Sequence, residues 1–428
     1  MIKAYKFRLY PTKEQEVLLN KHFGSVRYVY NWALDFSQKQ YKTNGKHLGW
    51  MSIATSQEFK NLKNENEWLK EINSQSICNS IAHLGRAFEH FFNHTAGFPK
   101  FKSKFDNYQS FEVPAGLKID FKKKKIQIPK FIQTKKQDNR LKFVLSRKVA
   151  KGKIGTATVS RNPSGQYFIS FIVHVDEEMK TPIPDAKITK DNSLGFDFGL
   201  KHFLTLSDGR VFDSPEYFKK MLDKLAWEQR KLSKKQKGSK NKEKQRKKVA
   251  RVHQKIHDQR EDYLHQLSSS LVKESQFDCF CFEDLNLEGM KKIWGRKVSD
   301  LSYYTFQQMM LYKAARAGKV CAKIGRFEPS SQICSKCGHR QKMPLDVRTY
   351  VCPECGQVID RDLNAAINIR DFAVFRVIRK DLLSTDGMSG INACGDGSSG
   401  NYDESCNCET TVNEARKFLR KRLRNGNH

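Results

Sequence analysis

Residues Cys352 to Asn368 read CPECGQVIDRDLNAAIN. A cysteine pair at metal-ligand spacing runs within a few residues into Asp360, Arg361 and Asp362, and then into an Ala-rich helix start. A second pair, Cys334 and Cys337, lies fourteen residues upstream of the first, and Gly338 and Gly356 directly follow the second ligand of each pair. Four thiolates in two tight knuckles, Cys334, Cys337, Cys352 and Cys355, point to one structural Zn²⁺. His339 adjoins them, but four thiolates already close the shell and leave no open position for catalysis. The chemistry is therefore expected beside the metal, in the carboxylates.

Three acids stand out, because each ends or interrupts an apolar run: Asp197 in LGFDFGL, Glu283 in FCFEDLN and Asp362 in DRDLNAAIN. A buried, unpaired carboxylate costs roughly several kcal/mol, which a shared cation removes. Asp284 and Asp360 adjoin two of them and read as supporting or capping acids.

The chain has 428 residues, enough for about three domains at roughly 150 residues each. Its 78 Lys and Arg against 46 Asp and Glu give a net charge of +32, a self-repulsion that a polyanion relieves. Nucleic acid is the partner this implies. No segment approaches the ~18 uninterrupted apolar residues of a membrane span, and the N-terminus has no signal-peptide core, so a soluble intracellular protein with no membrane partner is expected. In such a compartment C-x-x-C pairs bind metal more often than they form disulfides.

Along the chain, KAYKFRLYP reads as one strand stopped by Pro11. From Lys13 to about Phe92 apolar residues, Val17, Phe23, Val26, Tyr30, Ile81, Leu84 and Phe88 among them, recur at helical spacing and read as the core of a helical bundle. Between Phe98 and Val175 short strand-like runs alternate with basic turns, including Lys122, Lys123, Lys124 and Lys125 and a hairpin about Asn162 to Gly165. With the first strand these could form one β-barrel around the helical insert. One long helical region is expected from Tyr217 to about Glu274, with thirteen Lys and Arg and a single Glu between Arg230 and Lys255. Lys234, Lys235, Arg246, Lys247 and Lys248 there, with the Lys122 to Lys125 run, are candidates for phosphate contact. The tail from about Ser384 is rich in Gly, Ser and Asn and reads as disordered, with a short basic amphipathic segment near Ala415 to Arg424; its Cys394, Cys406 and Cys408 suggest no site.

The ordered set Gly-Phe-Asp-x-Gly, then Phe-Glu-Asp-Leu-Asn, then Asp-Arg-Asp-x-Asn-Ala-Ala-x-Asn-Ile, with a four-cysteine ribbon just before the last, resembles the TnpB family. TnpB proteins are RNA-guided DNA endonucleases of insertion sequences, related to the type V CRISPR effectors. The resemblance extends to about Ala373 and is most specific from Asp197 to Arg370. It implies a multidomain α+β chain: an RNase H-like (RuvC) nuclease domain (191–328 and 358–373) with an inserted zinc ribbon (329–357). A wedge-like β-barrel (1–11 and 98–190) interrupted by a helical recognition lobe (12–97) precedes it, and a disordered tail (374–428) follows.

The family's first, second and third catalytic acids fall on Asp197, Glu283 and Asp362, which would hold two Mg²⁺ about 4 Å apart for phosphodiester hydrolysis. The implied partners are a guide RNA made from the transposon end and double-stranded target DNA next to a short target-adjacent motif, with one chain per RNA, in a bacterial or archaeal cytoplasm at the nucleoid. Two other readings remain: a guided or unguided nucleic-acid-binding repressor or transposition accessory that does not cut, and a DDE-type transposase. The intact acidic trio argues against the first and the ribbon between Glu283 and Asp362 against the second.

Overall fold

The computed structural model describes residues 1–106, 108–131, 138–176, 180–286, 289–290, 292, 295, 301–344 and 346–384. They divide into two compact units: one takes the described residues of 1–178 together with Leu225–Gln254, the other those of 179–224 and from Lys255 onward.

In the first unit, β1 (Ile2–Tyr10) alternates so that Tyr5, Phe7 and Leu9 are buried. It pairs antiparallel with β7 (Tyr167–His174) on one side and β5 (Leu141–Phe143) on the other. Adding β2 (Gln109–Val113), β3 (Lys118–Asp120), β4 (Lys125–Gln127) and β6 (Lys153–Arg161) gives the order β2-β6-β7-β1-β5-β4-β3. The expected β-barrel is corrected by this order. Edge strands β2 and β3 do not pair with each other, so the sheet is an open half-barrel.

Between β1 and β2 lie α1 (Lys13–Asn44), α2 (Trp50–Thr55), α3 (Gln57–Glu65) and α4 (Ser74–Phe92). Thr12 and Gln15 form a capping box that starts α1, and Gly45, at φ 64°, ends it. One helix serves two cores: Leu19, Phe23 and Val26 pack on the sheet, while Val29, Tyr30 and Leu34 pack with Ile81, Leu84 and Phe88. Val17, read as part of the bundle's apolar spacing, instead faces solvent.

In the second unit, β8 (Ser193–Asp197), β9 (His202–Leu206), β10 (Val211–Asp213), β11 (Cys279–Glu283) and β12 (Val320–Ile324) make one mixed sheet in the order β10-β9-β8-β11-β12. Strands β8, β11 and β12 are parallel, β9 runs antiparallel to β8, and β10 runs antiparallel to β9.

The helical region after β10 is corrected to two helices, α5 (Tyr217–Ser233) and α6 (Lys240–Lys273). The chain turns between them at Gly238, whose φ of 83° a helix cannot accommodate. Helix α7 (Tyr303–Ala317) buries Phe306 and Met310 against Phe196, Phe280 and Phe282 on one face of the sheet. On the other face lies α8 (Arg361–Ser384), which approaches so closely that a Cβ at Gly195 would stand 2.1 Å from the Ala366 carbonyl oxygen. That closeness is why LGFDFG carries glycine before its Phe-Asp. The tail is corrected likewise: residues 374–384 continue α8, and Val374 is buried. The remaining tail readings, including the segment near Ala415 to Arg424 and the three tail cysteines, lie outside the described residues.

Candidate active site and zinc ribbon

Parallel strands deliver their ends to the same edge of a sheet. Asp197 is the last residue of β8 and Glu283 the last of β11, in a register that pairs Phe196 with Phe282, so both acids reach one edge together. Asp362 arrives from the first turn of α8. All three line a single cavity of about 590 Å³, with Arg326, Arg340 and Arg348 on its wall.

Two of the three carboxylates are held above their ordinary range. Burial, then the charges of Asp362 and Glu283, hold the Asp197 carboxyl well above the usual carboxylate range. Burial, then Glu328 and Asp284, push Glu283 up to about 7. Arg348 stands 3.6 Å from Asp362 and relieves part of this repulsion. The chemistry of the donors, hard oxygens crowded with like charge, fits Mg²⁺.

This crowding has a consequence for stability. Unfolded, Glu283 ionises near its ordinary 4.5, whereas folded it keeps its proton to about 7. Between those values the unfolded chain binds fewer protons, so stability falls as pH rises, by roughly 3 kcal/mol for this group. The chelator-treated protein is therefore expected to melt at a lower temperature at pH 7.5 than at pH 5, with Glu283→Gln flattening that slope and Mg²⁺ raising the melting point more at pH 7.5. An unchanged slope in the variant would show that Glu283 is not under this strain.

The neighbouring acids have separable roles. Asp360 is the N-cap of α8, its Oδ1 accepting from the backbone N–H of Asp362 at 2.9 Å and of Leu363 at 3.0 Å. Asp284 pairs with Arg326 at 3.0 Å. Sequence reasoning missed Glu328, a half-buried acid whose charge acts on Glu283 and which pairs with Arg376. Its only signal was an acid in RFEPSSQIC, immediately before the ribbon.

The ribbon itself is the antiparallel pair β13 (Thr349–Val351) and β14 (Val358–Asp360) and the two knuckles. The Sγ atoms of Cys334, Cys337, Cys352 and Cys355 lie within 4.8 Å of one another, with Cys334 to Cys355 at 3.7 Å and Cys337 to Cys352 at 3.5 Å. Zn–S bonds of about 2.3 Å in a tetrahedron require S–S edges of roughly 3.8 Å, so the four thiols fit zinc.

Three side chains of DRDLNAAIN fasten the ribbon to α8. Asn364 donates to the Ile333 carbonyl at 2.7 Å and accepts from Ser335 N–H at 2.9 Å. Asn368 donates to Ser330 O at 2.7 Å and Ile333 O at 2.6 Å, and Arg361 donates to Pro344 O at 2.8 Å. Both asparagines are buried, so each of these bonds is costly to lose. Asp362 sits between these fasteners.

The basic candidates lie in the first unit. Lys122, Lys123 and Lys124 form the exposed turn between β3 and β4, whereas Lys125 is tied to Asp138 at 2.6 Å. Lys234 and Lys235 follow α5, and Arg246, Lys247 and Lys248 lie exposed on α6, with Arg246 bound by Glu243.

Comparison with known proteins places this geometry. A family model described as "Probable transposase" matches residues 170–294, one described as "Cas12f1-like, TNB domain" matches 303–369, and one described as "Helix-turn-helix domain" matches 1–46. The last of these segments forms here one strand and one continuous helix, β1 and α1. A protein of Streptomyces pristinaespiralis named "Putative RNA-guided DNA endonuclease" is 35% identical over 86% of this chain and 88% of its own length. InsQ of Escherichia coli K12, named in the same way, is 32% identical over 86% and 91%. The Cas12f1 chain of a cryo-EM complex with sgRNA and target DNA aligns with a TM-score of 0.53 at 13% identity, covering 86% of this chain and 98% of that one. The fold is therefore Cas12f1-like, multidomain and α+β.

Proposed function

The chain belongs to the TnpB family of transposon-encoded, RNA-guided DNA endonucleases, and from that premise we propose that it cuts DNA at sites chosen by a guide RNA. The observation that carries this reading is the convergence of Asp197, Glu283 and Asp362, separated by 165 residues of sequence from first to last, on one cavity of a chain charged +32. A binding protein has no use for three half-buried acids drawn to one cavity, where the charges of two oppose ionisation of the third, Asp197. The strand order β10-β9-β8-β11-β12 supports an RNase H-like nuclease core, with the ribbon inserted between β12 and α8.

Asp197, Glu283 and Asp362 would hold the Mg²⁺, which when bound activates water and stabilises the leaving oxygen in phosphodiester hydrolysis. The rest of the work belongs to the chain. Arg326, Arg340 and Arg348 bring positive charge to the cavity wall where a DNA phosphate arrives. The Cys₄ ribbon, holding zinc, fixes α8 and with it Asp362. Basic side chains of the first unit neutralise the guide and heteroduplex backbone, while base pairing supplies sequence specificity. We place one chain on each RNA, acting in the cytoplasm on nucleoid DNA beside a short flanking motif.

The direct test is Mg²⁺-dependent cleavage of a plasmid pool in which a guide-matched target adjoins a randomised flank, with protein co-expressed with its transposon-end RNA. Cut products sharing one flank are expected. A pool that is bound but left intact would put the non-cutting guided binder in first place.

A further inference from the structure

A cavity of about 480 Å³ opens in the first unit, between the N-terminal half of α1, the β6–β7 hairpin and the start of α6. On its wall, which also carries the acids Glu16 and Asp106 among five Lys and Arg, the guanidinium of Arg161 is held by neutral partners. It donates to Asn20 Oδ1 at 2.7 Å and to Gln109 Oε1 at 2.8 Å, both of them amide oxygens. Glu243, an acid close enough to feel its charge, is itself engaged by Arg246 through both carboxylate oxygens. An oriented cation bound by neutral partners is a site prepared for an anion, and Arg27 and Lys247 bring further positive charge to the same space.

Beside these cations stands Phe105, 79% exposed. Its backbone is fixed. Asn31 clamps Lys102 by two hydrogen bonds of 2.9 and 2.8 Å, and a turn closed by Ser103 and Asp106 follows at once. Apart from Lys104, whose Nζ lies over the ring 5.0 Å from its centroid, this large aromatic side chain stands in solvent on a braced turn at the mouth of the cavity. A ring face beside a phosphate-binding cation is the recurring arrangement for an unstacked nucleotide.

We propose that this cavity binds one nucleotide turned out of its strand, with the phosphate on Arg161 and Arg27 and the base against Phe105. The proposal rests on the reading above that the chain works on nucleic acid. The nucleotide has two possible sources, guide RNA and target DNA, which share this chemistry.

The test uses full-length protein co-purified with its transposon-end RNA carrying 4-thiouridine, and then the same complex with target DNA carrying 4-thiothymidine. Ultraviolet crosslinking is expected to join the peptide containing Phe105 to a nucleotide; a crosslink formed without DNA assigns the guide, and one that needs labelled DNA assigns the target. Phe105→Ala is expected to weaken binding of the crosslinked strand about tenfold, with the salt slope unchanged. Arg161→Gln should lower that slope by about one. Because Phe105 is exposed, its variant should melt as the wild type does. If neither strand crosslinks there and both variants bind with wild-type affinity and slope, the pocket is wrong, even where the wild type still cuts guide-matched DNA. A wild type that retains no RNA and cuts nothing would instead remove the functional reading together with the pocket.

Discussion

Asp197→Asn reduces Mg²⁺-dependent DNA cleavage by at least roughly a thousandfold, while the variant keeps its RNA and, without Mg²⁺ at pH 7.5, melts no lower than the wild type. The first part follows from position. Asp197 ends the central strand β8, beside Glu283 on β11 and near Asp362, so on the proposed function it would be a central ligand for Mg²⁺. Losing transition-state stabilisation of about 4 kcal/mol corresponds to about three factors of ten in rate. The second part follows from electrostatics. Burial and two neighbouring acids hold the Asp197 carboxyl above its ordinary range, so its ionised form opposes folding at neutral pH, and an isosteric amide removes that opposition. Gel assays of cleavage, RNA retention and thermal melting read all three outcomes. Residual cleavage within tenfold of wild type would move the chemistry elsewhere; a large fall in melting temperature would mean that the carboxylate is paired and stabilising, contrary to its surroundings.

What the sequence made legible was whatever depends on neighbours along the chain. Asp197 and Glu283 announce themselves because an acid at the end of a wholly apolar strand has no local excuse, and the cysteine knuckles because zinc dictates spacing. The helical start at Lys13 and the hairpin at Asn162 to Gly165 are local as well. Closure of the first sheet is not: whether β2 meets β3 depends on twist and curvature summed over seven strands, which no single strand encodes. Asn364 and Asn368 resemble ordinary helix residues until the ribbon's carbonyls are brought against them. Glu328 matters only through Glu283, forty-five residues away. The pocket around Arg161 gathers α1, two strands and α6, each unremarkable alone, and the break at Gly238 was hidden by a lysine-rich stretch whose composition suits helix and turn equally.

Removing the zinc is expected to stop cleavage without releasing the RNA. Glu283 and Asp362 are separated by 79 residues, and the return path runs through the ribbon. Its grip on α8 is specific: Arg361, Asn364 and Asn368 bind carbonyls of residues 330, 333 and 344, on either side of the first knuckle, and Asp362 lies inside that grip. The Cys334, Cys337, Cys352, Cys355 cluster encloses a very small core, essentially Tyr350 with the cysteines, so binding the metal is what folds it. Without the metal those carbonyl positions are no longer defined. A shift of about 1 Å in a catalytic group costs roughly a hundredfold, so Cys352→Ala should lose at least that much cleavage along with its one zinc per chain by elemental analysis. RNA retention should persist, since the basic residues proposed to contact RNA belong to the other unit. Asn364→Ala separates metal from grip: it should keep the zinc yet cut more slowly, because it leaves a buried carbonyl at Ile333 less well satisfied and loosens α8. If the zinc-free protein cuts at the wild-type rate, the ribbon does not place Asp362, and α8 must be held by its packing on the sheet.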